Sequence, residues 1–191
     1  MNEKLASIAN KKFVNLISNI KVNKNLLLDI VESSEELSTL LEWTKIDRDD
    51  LTLCFSSTND NDAYQLMKQY CNGTKIIVLI KSENGKRFGG YTSGVNVSDI
   101  TVTFYQNDNS FLFSLDNMKK YNVKNKEHAF IVQPEGFFSF GADLVIKRGF
   151  REGKINSSSF PFDYGTSENT LEEFNGGMRT FNIEEIEILT A

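Results

Sequence analysis

One histidine, two cysteines and 26 carboxylate side chains bound the chemistry this chain can perform. With His128 alone, a Cys/His zinc centre lacks its ligands, and most hydrolytic triads lack their parts. His128 itself, between Glu127 and the apolar Ala129-Phe130-Ile131, reads as the start of a strand. Cys54 sits in an apolar strand-like run and Cys71 ends a helix-like run. Both read as buried thiols. A disulfide needs an oxidising compartment, and a redox sensor needs a basic, exposed setting that neither cysteine has in sequence. No Gly-Lys phosphate loop is present. What is left is carboxylate chemistry or none. Glu184, Glu185 and Glu187 form an acidic edge, most simply a solvated strand face that blocks edge pairing. Asp143, beside Gly141 and ahead of an apolar strand, is suited to accept backbone hydrogen bonds from a neighbouring loop. Set together, Asp143 and these glutamates would be a glycosidase-like acid/base pair, but nothing in the sequence sets their separation. The expectation is no catalytic residue, no metal and no cofactor.

The elements that must position these residues follow from length and pattern. A chain of 191 residues holds one domain with at most a short appendage. A net charge of -5 argues against a nucleic-acid partner, because phosphate affinity comes from clustered Lys and Arg. There is no apolar run long enough to span a bilayer, and Met1-Asn2-Glu3-Lys4 does not open a signal peptide. The expected address is cytoplasmic. The three Asn-x-Ser/Thr matches, at Asn72, Asn96 and Asn156, are then chance matches in an Asn- and Ser-rich chain.

Residues 4–21 read as an amphipathic helix with Lys4, Lys11, Lys12 and Lys21 on its polar face. That face is the only membrane contact the sequence offers. Leu26–Val31 reads as a short helical run. Ser33 caps a helix over 34–45, with Glu36 completing a capping box, and another helix is expected over 62–72, stopped by Gly73. Leu51–Phe55 alternates as a strand. Lys75–Lys81 and Arg87–Thr92 make a hairpin around Asn84-Gly85. Further strands are expected at Ile100–Tyr105, Ser110–Leu115, His128–Val132, Phe137–Phe140 and Asp143–Lys147. Residues 149–177, rich in Gly and Ser, read as an ordered loop, because Phe160, Phe162 and Tyr164 need somewhere to pack. Met178–Leu189 closes the chain as a strand whose parity slips. A bulge near Glu184-Glu185 would turn Phe181, Ile183, Ile186 and Ile188 all inward. Gly89 and Gly90 lie inside a strand, where glycine is costly. Either an aromatic lies across them, or they form a flat surface for a partner.

Several of these stretches, in this order, resemble the TLDc domain family of eukaryotes. They are Leu51–Phe55 with its following helix, the hairpin from Ile76 through Phe88-Gly89-Gly90-Tyr91-Thr92, Ser110-Phe111-Leu112-Phe113-Ser114-Leu115-Asp116, Phe140-Gly141-Ala142-Asp143-Leu144, and Phe181–Ile188 with its Glu-Glu-Ile-Glu. The match runs from about residue 35 to the end. One departure is visible: where family members often carry a run of glycines before the Asp-Leu pair, only Gly141 remains, followed by Ala142.

The resemblance implies a β-sandwich with a few edge helices. The strand pattern reaches the same class by itself: mainly β (α+β), a two-sheet antiparallel β-sandwich with an N-terminal helical segment. The expected division is a helical extension over 1–33 and a sandwich over 34–191. The resemblance also implies protection from oxidative stress and binding to the vacuolar proton-pumping ATPase. The expected function is therefore a non-enzymatic interaction domain, with a carboxylate hydrolase or a carbohydrate-binding sandwich as the alternative. Candidate partner-binding residues are Phe88, Gly89, Gly90, Phe160, Phe162, Tyr164, Glu184, Glu185 and Glu187. Gly141 and Asp143 are expected to be structural.

Overall fold

The computed structural model describes residues 28–56, 71, 73–96, 102–132, 138–147, 149 and 156–191. The helices expected over 4–21 and over most of 62–72 lie outside the described residues. In chain order the strands are β1 (Thr52–Ser56), β2 (Lys75–Ser82), β3 (Arg87–Ser93), β4 (Thr103–Tyr105), β5 (Phe111–Ser114), β6 (Lys119–Asn122), β7 (Phe130–Val132), β8 (Phe138–Phe140), β9 (Leu144–Ile146), β10 (Asn156–Ser157), β11 (Thr180–Phe181) and β12 (Ile183–Thr190). They form two six-stranded sheets, ordered β1-β12-β2-β3-β5-β6 and β11-β10-β9-β8-β7-β4, and the pairings within each are antiparallel. The β-sandwich expected from the sequence is what forms.

Two apolar layers hold the first sheet. Its inner face, with Ile76, Val78, Ile80, Leu112, Ile186 and Ile188, packs on Phe130, Phe138, Phe140 and Leu144 of the second sheet. Its outer face, with Ile77, Leu79, Phe111, Phe113 and Leu189, is covered by Ile30, Leu40 and the partly buried Trp43. Leu53 of β1 is only partly buried, against this outer layer. The helix Ser34–Thr44 begins where the sequence places it, with the Ser33 hydroxyl accepting the Glu36 N–H at 3.1 Å. The reciprocal half of the box is absent. The Glu36 carboxylate instead takes the Glu32 N–H at 2.8 Å and two Arg87 N–H groups at 3.0 Å each. Arg87 also reaches Asp116 at 3.0 Å and the Ile30 carbonyl at 3.2 Å, so it fastens the helix and the chain before it to the start of β3.

Residues 28–33 are not helical, contrary to the pattern of Leu26–Val31, and they pack on the sheet. Ile30 is fully buried there. The hairpin forms with Lys81 opposite Arg87, through a turn in which the Gly85 N–H reaches the Ser82 carbonyl at 2.8 Å. Gly85 takes a left-handed φ of 73°, and Asn84 is not among the positive-φ residues. The expected bulge is present: the β12–β2 register shifts between Ile183 and Glu185, and Phe181, Ile183, Ile186 and Ile188 all join the inner layer. His128 ends a short 3-10 turn, and the strand starts at Phe130.

The cysteines require a correction. Cys54 and Cys71 are joined in a disulfide with Cα atoms 5.2 Å apart. Strands β1 and β2 each pair antiparallel with β12 between them, so they run parallel and the chain must cross back between them. That return sets Cys71 in the inner layer, where Cys54 also packs. Sequence spacing alone carries no trace of this crossing.

Gly90 lies opposite Val78 on the inner face of the sheet. A Cβ there would stand 2.7–2.9 Å from the Phe140 ring, so an aromatic does lie across this position. Gly90→Val is expected to fold poorly, losing about 1–3 kcal/mol or more through overpacking. A denaturant midpoint equal to wild type would show that Phe140 can move aside.

Candidate functional site: an aromatic loop held by Asp143

Asp143 follows the tight turn between β8 and β9 and is fully buried. Its Oδ1 accepts the Phe162 N–H at 2.8 Å, and its Oδ2 accepts the Asp163 and Tyr164 N–H groups at 2.8 and 2.7 Å. Burial pushes this carboxyl up, the three N–H donors hold it down, and Asp163 adds to the upward side; the net direction is up. The Asp143 carbonyl also accepts the Ser158 hydroxyl at 2.6 Å. One residue thus anchors three successive backbone amides of a segment about twenty positions away.

The neighbouring turn is shaped for the same segment. Gly141 has φ 53°, and a Cβ there would overlap the Asp163 carboxylate. Asp163 is buried, and its Oδ2 accepts the Ala142 N–H at 2.6 Å. Its Oδ1 takes the Asn125 side chain at 3.0 Å, and its carbonyl takes the Lys124 and Asn125 N–H groups at 2.7 and 3.0 Å. Gly141 is therefore required by close approach and by backbone conformation together.

The aromatics of the segment divide. Phe160 is buried among Tyr121 and Phe174, with ring centroids 4.8 and 4.9 Å away. Tyr164 is fully buried, and its hydroxyl donates to the Ala129 carbonyl. Phe162, between them, is 65 % exposed. Two buried rings and a buried carboxylate thus hold one phenyl ring out in solvent. The Thr170–Glu173 capping box starts a short helix, Leu171–Asn175, that packs Phe174 beneath Phe160. Beside the segment, a groove of about 630 Å³ is lined by residues that include Lys120, Lys124, Thr166 and Asn169.

The remaining candidate residues are placed as follows. Phe88, Gly89 and Gly90 are buried in the sheet, so the hairpin offers no flat glycine surface. A Cβ on Gly89 would overlap the Val78 carbonyl. The acidic edge is not an edge: β12 is paired on both sides, by β1 and β2. Glu184 alone is exposed, 3.4 Å from the Lys81 ammonium. Glu187 is buried, and its two oxygens accept the Asp29 and Ile30 N–H groups at 2.9 and 3.2 Å. Burial pushes it up, against those two donors, and Glu185 and Asp29 add to the upward side. Asp143 and Glu187 each serve the backbone of a different segment, on different sheets, rather than one shared acid/base site. The solvated reading holds for Glu184 and fails for Glu185 and Glu187, because the chain that covers them, at residues 29 and 30, lies far away in sequence.

No helix among the described residues is long and apolar enough to cross a membrane. In comparisons with known proteins, no curated protein matches the chain. The sequence model of the TLDc domain matches residues 23–190, which takes in the Asp143 turn, the aromatic loop and the bulged last strand. The chain belongs to the TLDc domain family.

Proposed function

We propose that this domain is a non-enzymatic docking module of the cytoplasm that binds a protein assembly, with the vacuolar proton-pumping ATPase as the leading candidate. The observation that carries this reading is Phe162, an aromatic side chain 65 % exposed on a backbone immobilised by Asp143. A rigid, projecting aromatic supplies contact area at small entropic cost and is the kind of group that anchors protein interfaces. Membership of the TLDc family supports the choice of partner, since several of its members bind that pump and the family is linked to resistance to oxidative stress. The net charge of -5 suits a basic or mixed partner face, and association should then weaken with salt. The Cys54–Cys71 bond is the feature that pulls against a reducing compartment.

Affinity purification with the intact protein and with Phe162→Ala tests the proposal. Pump subunits should be enriched by the intact protein and lost by about tenfold or more with the variant, whose melting temperature should be unchanged because the ring is already in solvent. Equal enrichment by both would remove Phe162 from the interface. No enrichment of pump subunits by either would remove the pump as partner.

A further inference from the structure

We propose that Asp29, Glu185 and Glu187 form a binding site for one calcium-class divalent cation, which ties the chain at residue 29 to the last strand of the sheet. The three carboxylates each place an oxygen within 4.8 Å of the others. Two oxygens bound to one calcium ion at about 2.3–2.6 Å can be at most about 5 Å apart, so this spread fits around one ion. Magnesium, at about 2.0–2.1 Å, demands near-octahedral geometry and dehydrates reluctantly, so it suits an irregular carboxylate set less well.

The second observation is Glu185 itself. It is only 9 % exposed, and its Oε1 is buried without a hydrogen-bond partner. A buried carboxylate oxygen left unpaired is costly, more so among other carboxylates. The Lys81 ammonium, which acts on Glu185, pairs with Glu184 at 3.4 Å. Burial, the charges of Asp29 and Glu184 and a side-chain hydrogen bond with Asp29 push Glu185 up, against the opposing pull of Lys81. Glu187 is equally suited: each of its oxygens accepts one backbone N–H and keeps a further lone pair for a metal. Asp29 is exposed, which gives the ion a path from solvent and lets water fill the remaining coordination positions.

The full chain, stripped with chelator, is titrated with calcium chloride by calorimetry and melted with and without the ion. The expected result is one calcium per chain, with Kd between about 10 µM and 1 mM, and a melting temperature higher by about 3–10 °C at saturation. Magnesium should bind at least about tenfold more weakly. Glu185→Gln should weaken calcium binding by about tenfold or more, while melting in chelator no lower than wild type because a repulsive charge is gone. If Glu185→Gln folds poorly, Asp29→Asn serves instead, since that side chain is exposed. Absence of calcium binding at millimolar concentration, or undiminished binding by the folded variants, overturns the site. So does a protein that acid stabilises in chelator and calcium does not stabilise at any pH, because a shared proton then fills the role of the ion.

Discussion

Replacing Asp143 with alanine is expected to cost about 3–5 kcal/mol, among the largest losses from a single substitution in this domain. Three backbone N–H groups, of Phe162, Asp163 and Tyr164, lose their acceptor at once. A buried donor without a partner costs about 1–3 kcal/mol, and only the amide beside the exposed Phe162 can readily turn to water. Asp143→Asn keeps one carbonyl oxygen and the shape of the side chain, so it should lose less. Urea denaturation of the two variants measures the difference. Equal midpoints for wild type and Asp143→Ala would show that the loop is held by Phe160 and Tyr164 alone. The alanine variant should also lose the fixed projection of Phe162, so its docking should fall together with its stability.

The second large effect is expected at Phe113. Its ring is fully buried on the outer face of the first sheet, with Trp43 and Phe111 at centroid distances of 6.3 and 6.2 Å. Phe113→Ala removes that ring from between the sheet and the helix Ser34–Thr44, and should cost about 3–5 kcal/mol. The neighbours cannot collapse far, because Gly89 beside it has no side chain to move into the space. Thermal melting with Trp43 fluorescence as the probe reads both the loss of stability and the loosened helix. A loss below about 1 kcal/mol would mean that the helix settles onto the sheet and fills the void.

The strands, the hairpin and the bulge were legible because each is set by local pattern. Side-chain alternation marks a sheet face, Asn84-Gly85 marks a turn, and the parity slip at Glu184-Glu185 has one economical solution. The role of Asp143 was also readable, from its place beside a turn glycine and ahead of an apolar run. What escaped were features made by contact between distant segments. Glu185 and Glu187 look like surface residues until residues 29 and 30 are laid over them. Phe88, Gly89 and Gly90 look available until the sheet is covered on both faces. Strand β6 carries Lys119 and Lys120 and shows inward only at Tyr121, too little for a pattern. The Thr170–Glu173 capping box is a local signal in the sequence, but the helix it starts is only five residues long, too short to show a periodic pattern.

The position of β12 has a consequence for how the chain reaches this state. It lies between β1 and β2, and it pairs Thr52 with Thr190. On the ribosome, β1 and β2 therefore emerge long before the strand that joins them. Until then β2 keeps an open edge along Ile76–Ile80, the most apolar run in the sheet. Such a topology has high contact order, and loop-closure entropy must be met before the central pairings can return any stabilisation. The nascent domain thus depends on its final segment for closure, and a chain halted before Ile183 leaves exposed an edge suited to pairing with another copy of itself.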